Sequence, residues 1–457
     1  MEARPSADDA ALGREALSVL DANWTGAATV PAPGLYPHQW SLDSAFVTIG
    51  LARTNPERAK AELAGLLGGQ WRTGMVPHIL FRTAGGYFPG PSVWRSHEHA
   101  AAPRHVATSG LTQPPLQALA AWWIWRYATG REAADAFVRR LYPSLAAQHR
   151  YLETARDLGG AGLAAIVHPW ESGMDDSPLW DEPLAALPAV RYAYHRELLP
   201  GRHPDNHHDR YVSLALGYRD SGYDPAYLRQ EHPFAIEDPM FNGIWLASCE
   251  ALAELAPVAG ADPRPQREAA ERIRTAMTAR LWDPWDGLYY ARDLRTGTPI
   301  PMASVGSFTP LVDPYLPTDR VRTLVTTLES GRFMGAAGYP VPSIDIRAAQ
   351  FDRSRYWRGP SWVNTNWLLR HAALGHGLVD LAQALTACTL RLVRQAGFRE
   401  CFDPFDGSGR GCRDFSWSAA LTLDLLADAD SREPGAHPAA GPQAGSVARA
   451  RPGTFGA

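Results

Sequence analysis

Apolar residues return every three or four positions along most of this chain, which is the period of an amphipathic helix. About a dozen segments carry the pattern, and connections rich in Gly, Pro and Trp separate them. Strand-like alternation is confined to short stretches such as 288–292. The pattern predicts helices at 10–23, 45–53, 57–67, 115–129, 133–156, 211–218, 244–255, 266–281, 318–328, 362–373, 378–395 and 416–427.

The connections between these helices alternate between short and long, and the long ones are rich in aromatic and acidic residues. Long loops in a compact protein are normally functional. The alternation predicts an all-α fold in which helical hairpins close into a double ring and the long loops gather at one end. We expect residues 1–430 to form this single domain. Residues 431–457, rich in Ala, Gly, Pro and Ser, are predicted to be a disordered C-terminal tail.

The charge balance argues against nucleic acid as a partner, since 44 Lys and Arg stand against 48 Asp and Glu. No run of eighteen apolar residues indicates a membrane span, and the N-terminus lacks the apolar core of a signal peptide. We therefore expect a cytoplasmic protein without membrane partners. Its four cysteines lack C-x-x-C spacing and are expected to be reduced. Lys60 is the only lysine and follows no glycine-rich loop, which argues against Schiff-base and P-loop chemistry.

Metal and acyl-transfer chemistry find little support. The pairs His97-Glu98-His99 and His207-His208-Asp209 match no metal-ligand spacing and are interpreted as solvated loop histidines. No G-x-S-x-G elbow is present, and no cysteine has an evident histidine partner. The sequence predicts no metal and no cofactor, which leaves carboxylate chemistry.

Four loop clusters combine tryptophan or tyrosine with carboxyl groups. A pyranose offers an apolar face to an aromatic ring and a rim of hydroxyls to carboxylates, and acetal hydrolysis needs a protonated carboxyl group beside the leaving oxygen. This composition is typical of a sugar site. The clusters are 36–44, 168–178, 356–364 and 397–417.

Structural interpretations of the same clusters stay open. Asp43 or Ser44 would also serve as the N-cap of the following helix. The tryptophans and the arginine of the third cluster would also pack together through cation–π contact. The carboxylates of the second cluster would also suit a solvated loop. The glycines of the fourth cluster follow no clear strand, which disfavours a nucleotide site.

The order and spacing of the motifs in these clusters resemble the (α/α)6-barrel glycosidases of glycoside hydrolase family 63, especially its bacterial mannosylglycerate and glucosylglycerate hydrolases. The resemblance spans residues 36–426 and implies that the domain is a catalytic (α/α)6 barrel. The motifs are Tyr36-Pro37, Gln39-Trp40, Asp43-Ser44, Gly74-Met75, Thr112-Gln113-Pro114-Pro115, His168-Pro169-Trp170-Glu171-Ser172-Gly173-Met174-Asp175, Tyr356-Trp357-Arg358-Gly359-Pro360, Glu400 and Asp414-Phe415-Ser416-Trp417.

The resemblance also implies roles for individual residues. In this family the aspartate after Glu-Ser-Gly-Met is the general acid and the glutamate of a late Phe-x-Glu segment is the general base, which the matching positions make Asp175 and Glu400. It implies inversion at an α-linked anomeric carbon, with the two carboxyl groups about 6.5–9.5 Å apart. Arg210 would pair with a glycerate carboxylate, or else form a structural ion pair with Asp209. The implied substrate-binding residues are Tyr36, Trp40, Asp43, Gln113, Trp170, Glu171, Gly173, Arg210, Tyr356, Trp357, Arg358, Gly359 and Trp362.

The sequence thus predicts an inverting α-glycosidase that hydrolyses a small soluble α-glucoside or α-mannoside, first 2-O-glucosylglycerate and then mannosylglycerate. Leu42 and His207-His208 depart from the family pattern and leave the identity of the sugar open. Two alternatives remain: a sugar isomerase or epimerase that works through some of the 15 histidines, and a non-catalytic carbohydrate-binding protein. A homo-oligomer also remains open.

Overall fold

The computed structural model of the chain describes residues 7–83, 87–188, 207–334 and 340–430. Helices dominate these ranges, and none of them is both long and apolar enough to cross a membrane. Every helix predicted from the periodicity overlaps a helix of the structure. The α-helices are α1 (Ala7–Ala22), α2 (Ser41–Leu51), α3 (Pro56–Leu67), α4 (Pro91–Trp94), α5 (Gln117–Tyr127), α6 (Arg131–Tyr151), α7 (Asp181–Ala185), α8 (His207–Asp220), α9 (Pro225–Gln230), α10 (Pro239–Leu255), α11 (Arg264–Arg280), α12 (Thr318–Leu328), α13 (Val363–Gly375), α14 (Val379–Ala396) and α15 (Ser416–Asp430).

An inner ring of helices encloses the axis of the described chain. Helix α2 packs on α5, α5 on α10, α10 on the 3₁₀ helix Val305–Val312, that helix on α13, α13 on α15, and α15 closes the ring against α2. Every residue of α2 is buried. A helix that is apolar around its whole circumference belongs in a core, which explains why these segments carry so few charges.

An outer ring backs the inner one. Helix α1 packs on α15, α3 on α2, α6 on α5, α11 on α10, α12 on the 3₁₀ helix and α14 on α13. The outer helices are amphipathic: α14, for example, buries Leu381, Leu385 and Leu392 at helical spacing and exposes its other face. The two rings are the predicted (α/α)6 barrel, and the fold prediction is confirmed.

One inner position was missed by the sequence analysis. It is filled by the 3₁₀ helix Val305–Val312, which contains Gly306 and Pro310 and is buried throughout. Proline and glycine interrupt the helical period, and a 3₁₀ helix does not follow it. A side chain at Gly306 would press on Met174 and Met240 at 3.3 Å, so the glycine lets the ring close tightly here.

Short antiparallel strands connect the helices. They form the sheets β1-β2-β3, β4-β5-β8-β9, β6-β7 and β10-β11 within the described ranges. Only the region 288–292 was predicted, because strands of two or three residues are too short to show alternation. The strands are β1 (Gln39–Trp40), β2 (Ile79–Phe81), β3 (Ala107–Thr108), β4 (Ala165–Ile166), β5 (Ile236–Glu237), β6 (Trp282–Asp283), β7 (Leu288–Tyr289), β8 (Ala291–Asp293), β9 (Thr298–Ile300), β10 (Cys401–Phe402) and β11 (Gly409–Arg410).

The inner elements begin at one end of the barrel. A side chain built at Gly173 would meet Leu42 at the start of α2, Pro114 just before α5 and Met240 at the start of α10. Isolated bridges pair Ser304, just before the 3₁₀ helix, with Ile344, and Ser361, just before α13, with Pro342 of the same segment. The loops before the inner elements therefore converge, as the double-ring prediction requires. The predicted tail, residues 431–457, lies outside the described residues, which end with α15.

Candidate active site

A pocket lies at the end of the barrel where the inner elements begin. It encloses about 570 Å³, its open mouth included. Loops before α2, α5, α13 and α15 line it together with the segment that follows β4. The lining residues are Pro31, Tyr36, Trp40, Leu42, Asp43, His78, Tyr87, Gln113, Trp170, Gly173, Asp175, Tyr356, Trp357, Glu400, Phe415 and Trp417.

Glu400 contributes a carboxyl group that is surrounded by hydrogen-bond donors. It is 2% exposed and immediately precedes β10. Its Oε1 accepts hydrogen bonds from the hydroxyls of Tyr36 at 3.0 Å and Tyr356 at 3.1 Å, and its Oε2 accepts one from the backbone N–H of Cys412 at 3.0 Å. A side chain at Gly411 would overlap Oε2, so this approach requires glycine. These three donors fix the orientation of the carboxyl group, as the geometry of a general base requires.

Asp175 lines the same pocket from a different loop. The loop is held by its backbone: the N–H of Met174 donates to Ser172 Oγ at 2.9 Å, and the indole of Trp180 donates to the Met174 carbonyl at 2.9 Å. Gly173 has φ of 72°, which favours glycine. The structure therefore brings the predicted acid and base to one cavity, from segments more than 200 residues apart in sequence.

Asp43 adds a third carboxyl group to the pocket. Burial, and next the charge of Glu400, raise the pKa of Asp43 to about 8. Its Oδ1 is buried without a hydrogen-bond partner, and the N-cap of α2 is Trp40. Asp43 is therefore not the helix cap that the sequence left open. The described residues that line the pocket include no lysine or arginine to balance these carboxyl groups.

Aromatic rings form most of the wall. Trp40 meets the ring of Tyr36 edge-on with centroids 5.4 Å apart, and meets Tyr87 in the same way at 5.1 Å. On the other side Trp170 stacks on His78 with centroids 6.0 Å apart and planes 17° from parallel. Rings fixed in this way present a rigid apolar surface that suits a pyranose face.

A tryptophan pair supports the third side of the pocket. Trp357 lines the cavity, and Trp362 lies flat beneath it with ring centroids 3.9 Å apart and planes 2° from parallel. Trp362 is 1% exposed and does not line the pocket. Of these two predicted binding residues, Trp357 faces the cavity and Trp362 supports the ring of Trp357 from behind.

Glu171 was predicted to bind substrate, but the structure buries it behind the pocket wall. Its carboxylate pairs with the guanidinium of Arg156 through two 2.7 Å bonds and also accepts the N–H groups of Thr112 and Val167. Both side chains of the ion pair are fully buried. Glu171 thus ties the loop before α5 to the loop that bears Asp175, and it has no surface left for a sugar.

Three further predicted residues lie outside the lining. Arg358 forms ion pairs with Asp181 and Asp176, so carboxylates rather than the tryptophan faces balance its charge. Gly359 permits a close turn, since a side chain there would overlap the carbonyl of Asp352. Arg210, on α8, donates from Nε to the Leu187 carbonyl at 3.3 Å.

The histidines near the pocket are structural. The Nδ1 atom of His168 accepts the N–H of Trp170, and its Nε2 bonds to the Tyr211 carbonyl at 2.9 Å. Burial lowers the pKa of His168 well below its usual value and lowers the pKa of His78 to about 3. Both rings are therefore neutral and weakly basic near neutral pH, which weighs against the isomerase alternative. The His99 ring stacks on Trp71, away from the pocket.

One group of side chains in the described chain has the composition of a metal site. His371, Asp424 and Asp428 bring ligand atoms within 4.8 Å of one another. However, Arg53 and Arg370 both pair with Asp428, and Arg53 also approaches Asp424. Two guanidinium groups already balance the two carboxylates, so the group is a buried ion-pair network.

Several lining residues were not predicted to bind. Phe415 and Trp417 belong to the motif Asp414-Phe415-Ser416-Trp417, so the sequence placed them near the site. It did not show that their side chains face the cavity. His78, Tyr87 and Pro31 carried no local signal, because they reach the pocket through the β1-β2-β3 sheet and through loops. Leu42, noted as a departure from the family pattern, also lines the cavity.

Comparison with known proteins agrees with this geometry. The sequence profile of the mannosylglycerate hydrolase MGH1-like glycoside hydrolase domain matches residues 36–418. A mannosylglycerate hydrolase from Thermus thermophilus is 41% identical over 417 residues, which cover 90% of this chain and 99% of that protein. A glucosylglycerate hydrolase from Mycolicibacterium hassiacum is 36% identical over 446 residues, which cover 92% and 99%.

Solved structures give the same result. A GH63 mannosylglycerate hydrolase from Thermus thermophilus, crystallised in complex with Tris, has a TM-score of 0.85 at 40% identity, covering 90% of this chain and 99% of that one. The same enzyme with Tris and D-glycerate has a TM-score of 0.84. The double ring of helices and its pocket, which holds carboxyl groups between tryptophan walls, are those of a glycoside hydrolase. The chain belongs to the MGH1-like family of glycoside hydrolases, within GH63.

Proposed function

We propose that this glycoside hydrolase inverts the anomeric carbon of a small α-glycoside of glycerate, with Asp175 as general acid and Glu400 as general base. The observation that carries the proposal is the pairing of these two groups in one pocket, where three hydrogen-bond donors fix the orientation of the Glu400 carboxyl group. Two carboxyl groups with different surroundings are the usual means by which one site supplies an acid and a base together.

The chemistry follows from those two groups. Asp175 gives its proton to the glycosidic oxygen as the bond from that oxygen to the anomeric carbon breaks. Glu400 takes a proton from a water molecule whose oxygen attacks the same carbon from the opposite face. Inversion requires about 6.5–9.5 Å between the carboxyl groups to leave room for that water. An α-glycoside would then release the β-sugar.

The choice of aglycone rests on the relatives and on α8. The relatives are named for mannosylglycerate and glucosylglycerate, and one solved relative holds D-glycerate. Arg210, which the resemblance assigns to the glycerate carboxylate, precedes Tyr211, whose hydroxyl accepts the backbone N–H of Asp176 beside the proposed acid at 3.1 Å. We propose 2-O-glucosylglycerate and mannosylglycerate as the two substrates to compare.

A cytoplasmic location is part of the same proposal. Cys249, Cys388, Cys401 and Cys412 form no disulfide with one another. Cytoplasmic proteins keep their cysteines reduced, whereas secreted proteins usually pair them. A thiol titration of protein purified without reductant, with four thiols expected, would agree with this proposal.

The decisive experiment is sugar release from both glycerate glycosides, with proton NMR identifying the first anomer formed. We expect the wild type to release the β-anomer. Asp175→Asn keeps the size of the side chain but has no proton to give, so we expect turnover to fall by about 10²–10⁴-fold. Release of the α-anomer would overturn inversion, and full activity of the variant would overturn the assignment of Asp175.

A further inference from the structure

The loop that bears the proposed acid is joined to the loop that supports the proposed base. Asp176, next in sequence to Asp175, pairs with Arg355 through two 2.8 Å bonds from Nε and Nη2 to its two carboxylate oxygens. Arg355 is next to Tyr356, whose hydroxyl donates to Glu400 at 3.1 Å. The ion pair therefore connects the neighbour of the proposed acid to the neighbour of Tyr356, which donates a hydrogen bond to the proposed base.

The backbone on both sides of this ion pair is strained. Asp176 has φ of 61° and Tyr356 has φ of 31°, in a region that residues other than glycine rarely adopt. Such conformations persist only where surrounding contacts enforce them, and they concentrate at functional sites. At Asp176 the enforcing contacts are the ion pair and the hydrogen bond from its N–H to the Tyr211 hydroxyl.

Further charges fix the ion pair to the rim of the pocket. Arg358 approaches Asp176 at 3.4 Å and is anchored by Asp181 at the start of α7. The side chains of Asp176 and Arg355 are 16% and 17% exposed, so water weakens their attraction only in part. A partly buried, bidentate ion pair has a fixed geometry, as a residue that positions its neighbour requires.

We infer that the Asp176–Arg355 ion pair positions the general acid Asp175 by joining its loop to the segment that supports Glu400. The inference rests on the proposed function. Asp176 does not line the pocket and acts through its neighbour, so it is a positioning residue. A small displacement of a general acid lowers the rate of every substrate whose leaving group must be protonated, and spares substrates whose leaving group needs no proton.

The test compares two substrates of the same sugar. One is the glycerate glycoside, whose leaving group needs the acid, and the other is the α-glycosyl fluoride, whose fluoride departs without a proton. We expect Asp176→Asn to lower kcat on the glycoside by about 10–100-fold and on the fluoride by less than about threefold. Asparagine tolerates the left-handed backbone, so this variant removes the charge and one acceptor oxygen without changing the size of the side chain. Arg355→Met should give the same pattern.

The neighbouring ion pair provides the control. Arg353, two residues before Arg355, pairs with Asp406, which lies between β10 and β11. Asp406→Asn should leave both rates unchanged. Equal losses on the two substrates in Asp176→Asn, or no loss at all, would overturn the inference and leave the ion pair a purely structural role.

Two further variants separate this inference from the proposal beneath it. Asp175→Asn should repeat the Asp176→Asn pattern more strongly, whereas Glu400→Gln should lose both substrates. If Asp175→Asn hydrolyses the glycoside at the wild-type rate, the proposed function fails whatever Asp176 does. If Asp175→Asn behaves as expected and Asp176→Asn does not, only the positioning role fails.

Discussion

Asp43 places a third carboxyl group in the pocket that Asp175 and Glu400 also line. The residue is 6% exposed, and its Oδ1 has no hydrogen-bond partner. Burial with a like charge nearby favours the protonated form, which explains the elevated pKa of about 8. At neutral pH the group is therefore a hydrogen-bond donor as well as an acceptor, which suits a sugar hydroxyl.

The stability of the protein should depend on pH through Asp43. The folded state keeps the proton up to about pH 8, whereas the unfolded chain releases it near its usual value of 3.8. The folded state binds more protons between these values, so the free energy of unfolding falls as pH rises from about 4 to about 8. Asparagine does not titrate, so Asp43→Asn should remove this pH-dependent loss of stability.

We expect Asp43→Asn to be more stable than the wild type at pH 8 by up to about 5 kcal/mol, and to be about equal to it at pH 4. Urea unfolding at the two pH values measures both differences. A difference of the same size at both values would mean that Asp43 does not titrate in this range.

At the scale of elements, contact between α2 and α15 closes the inner ring. Gly50 of α2 lies so close to α15 that a side chain there would overlap the carbonyl of Ala420. The ring thus depends on a missing side chain where its first and last inner helices meet. Glycine lowers helix propensity, so its presence here reflects packing.

Gly50→Ala should destabilise the protein by about 3 kcal/mol, because the two backbones must separate. Gly13 in α1 is a matched control, since the nearest atom to a side chain there is Leu426 Cδ1 at 3.8 Å. Gly13→Ala should be neutral or stabilising by up to about 1 kcal/mol. Urea midpoints give both values, and equal effects of the two substitutions would contradict the packing argument.

At the scale of the whole molecule, one buried carboxylate contacts side chains from several inner helices. Asp424 of α15 accepts the indole N–H groups of Trp123 from α5 at 3.0 Å and Trp367 from α13 at 2.8 Å, and bonds to His371 at 3.2 Å. Arg53, just after α2, lies 3.7 Å away. Burial alone would raise the pKa of Asp424, but these donors and charges outweigh it and lower that pKa to about 2.

Asp424→Asn should therefore destabilise the whole barrel by about 3–5 kcal/mol, the usual cost of breaking a buried ionic contact. The contribution is present above the unfolded pKa near 4 and disappears as the pH falls toward 2, so the gap to the wild type should narrow in acid. Asp262→Asn, which breaks an exposed pair with Arg264, should change the free energy of unfolding by less than about 1 kcal/mol.

At the scale of the whole molecule the sequence predicted the barrel, because the spacing of apolar residues within each helix is a local signal that can be read without knowing the fold. It did not reveal the inner 3₁₀ helix, whose Gly306 and Pro310 erase the period. The loop clusters located the pocket, since their aromatic and acidic residues had no place in a periodic element. The sequence could not show which way each side chain points: Trp357 faces the cavity, while Glu171 and Trp362 face the protein interior.

The common starting end of the inner elements has a consequence for the electric field in the pocket. A helix carries a partial positive charge at its N-terminus, where backbone N–H groups have no partner within the helix. Helices α2 and α15 begin among the residues that line the cavity, and this described lining holds three carboxyl groups but no lysine or arginine. The backbone N–H groups at these helix starts add partial positive charge beside the carboxyl groups, and a single side-chain substitution cannot remove it.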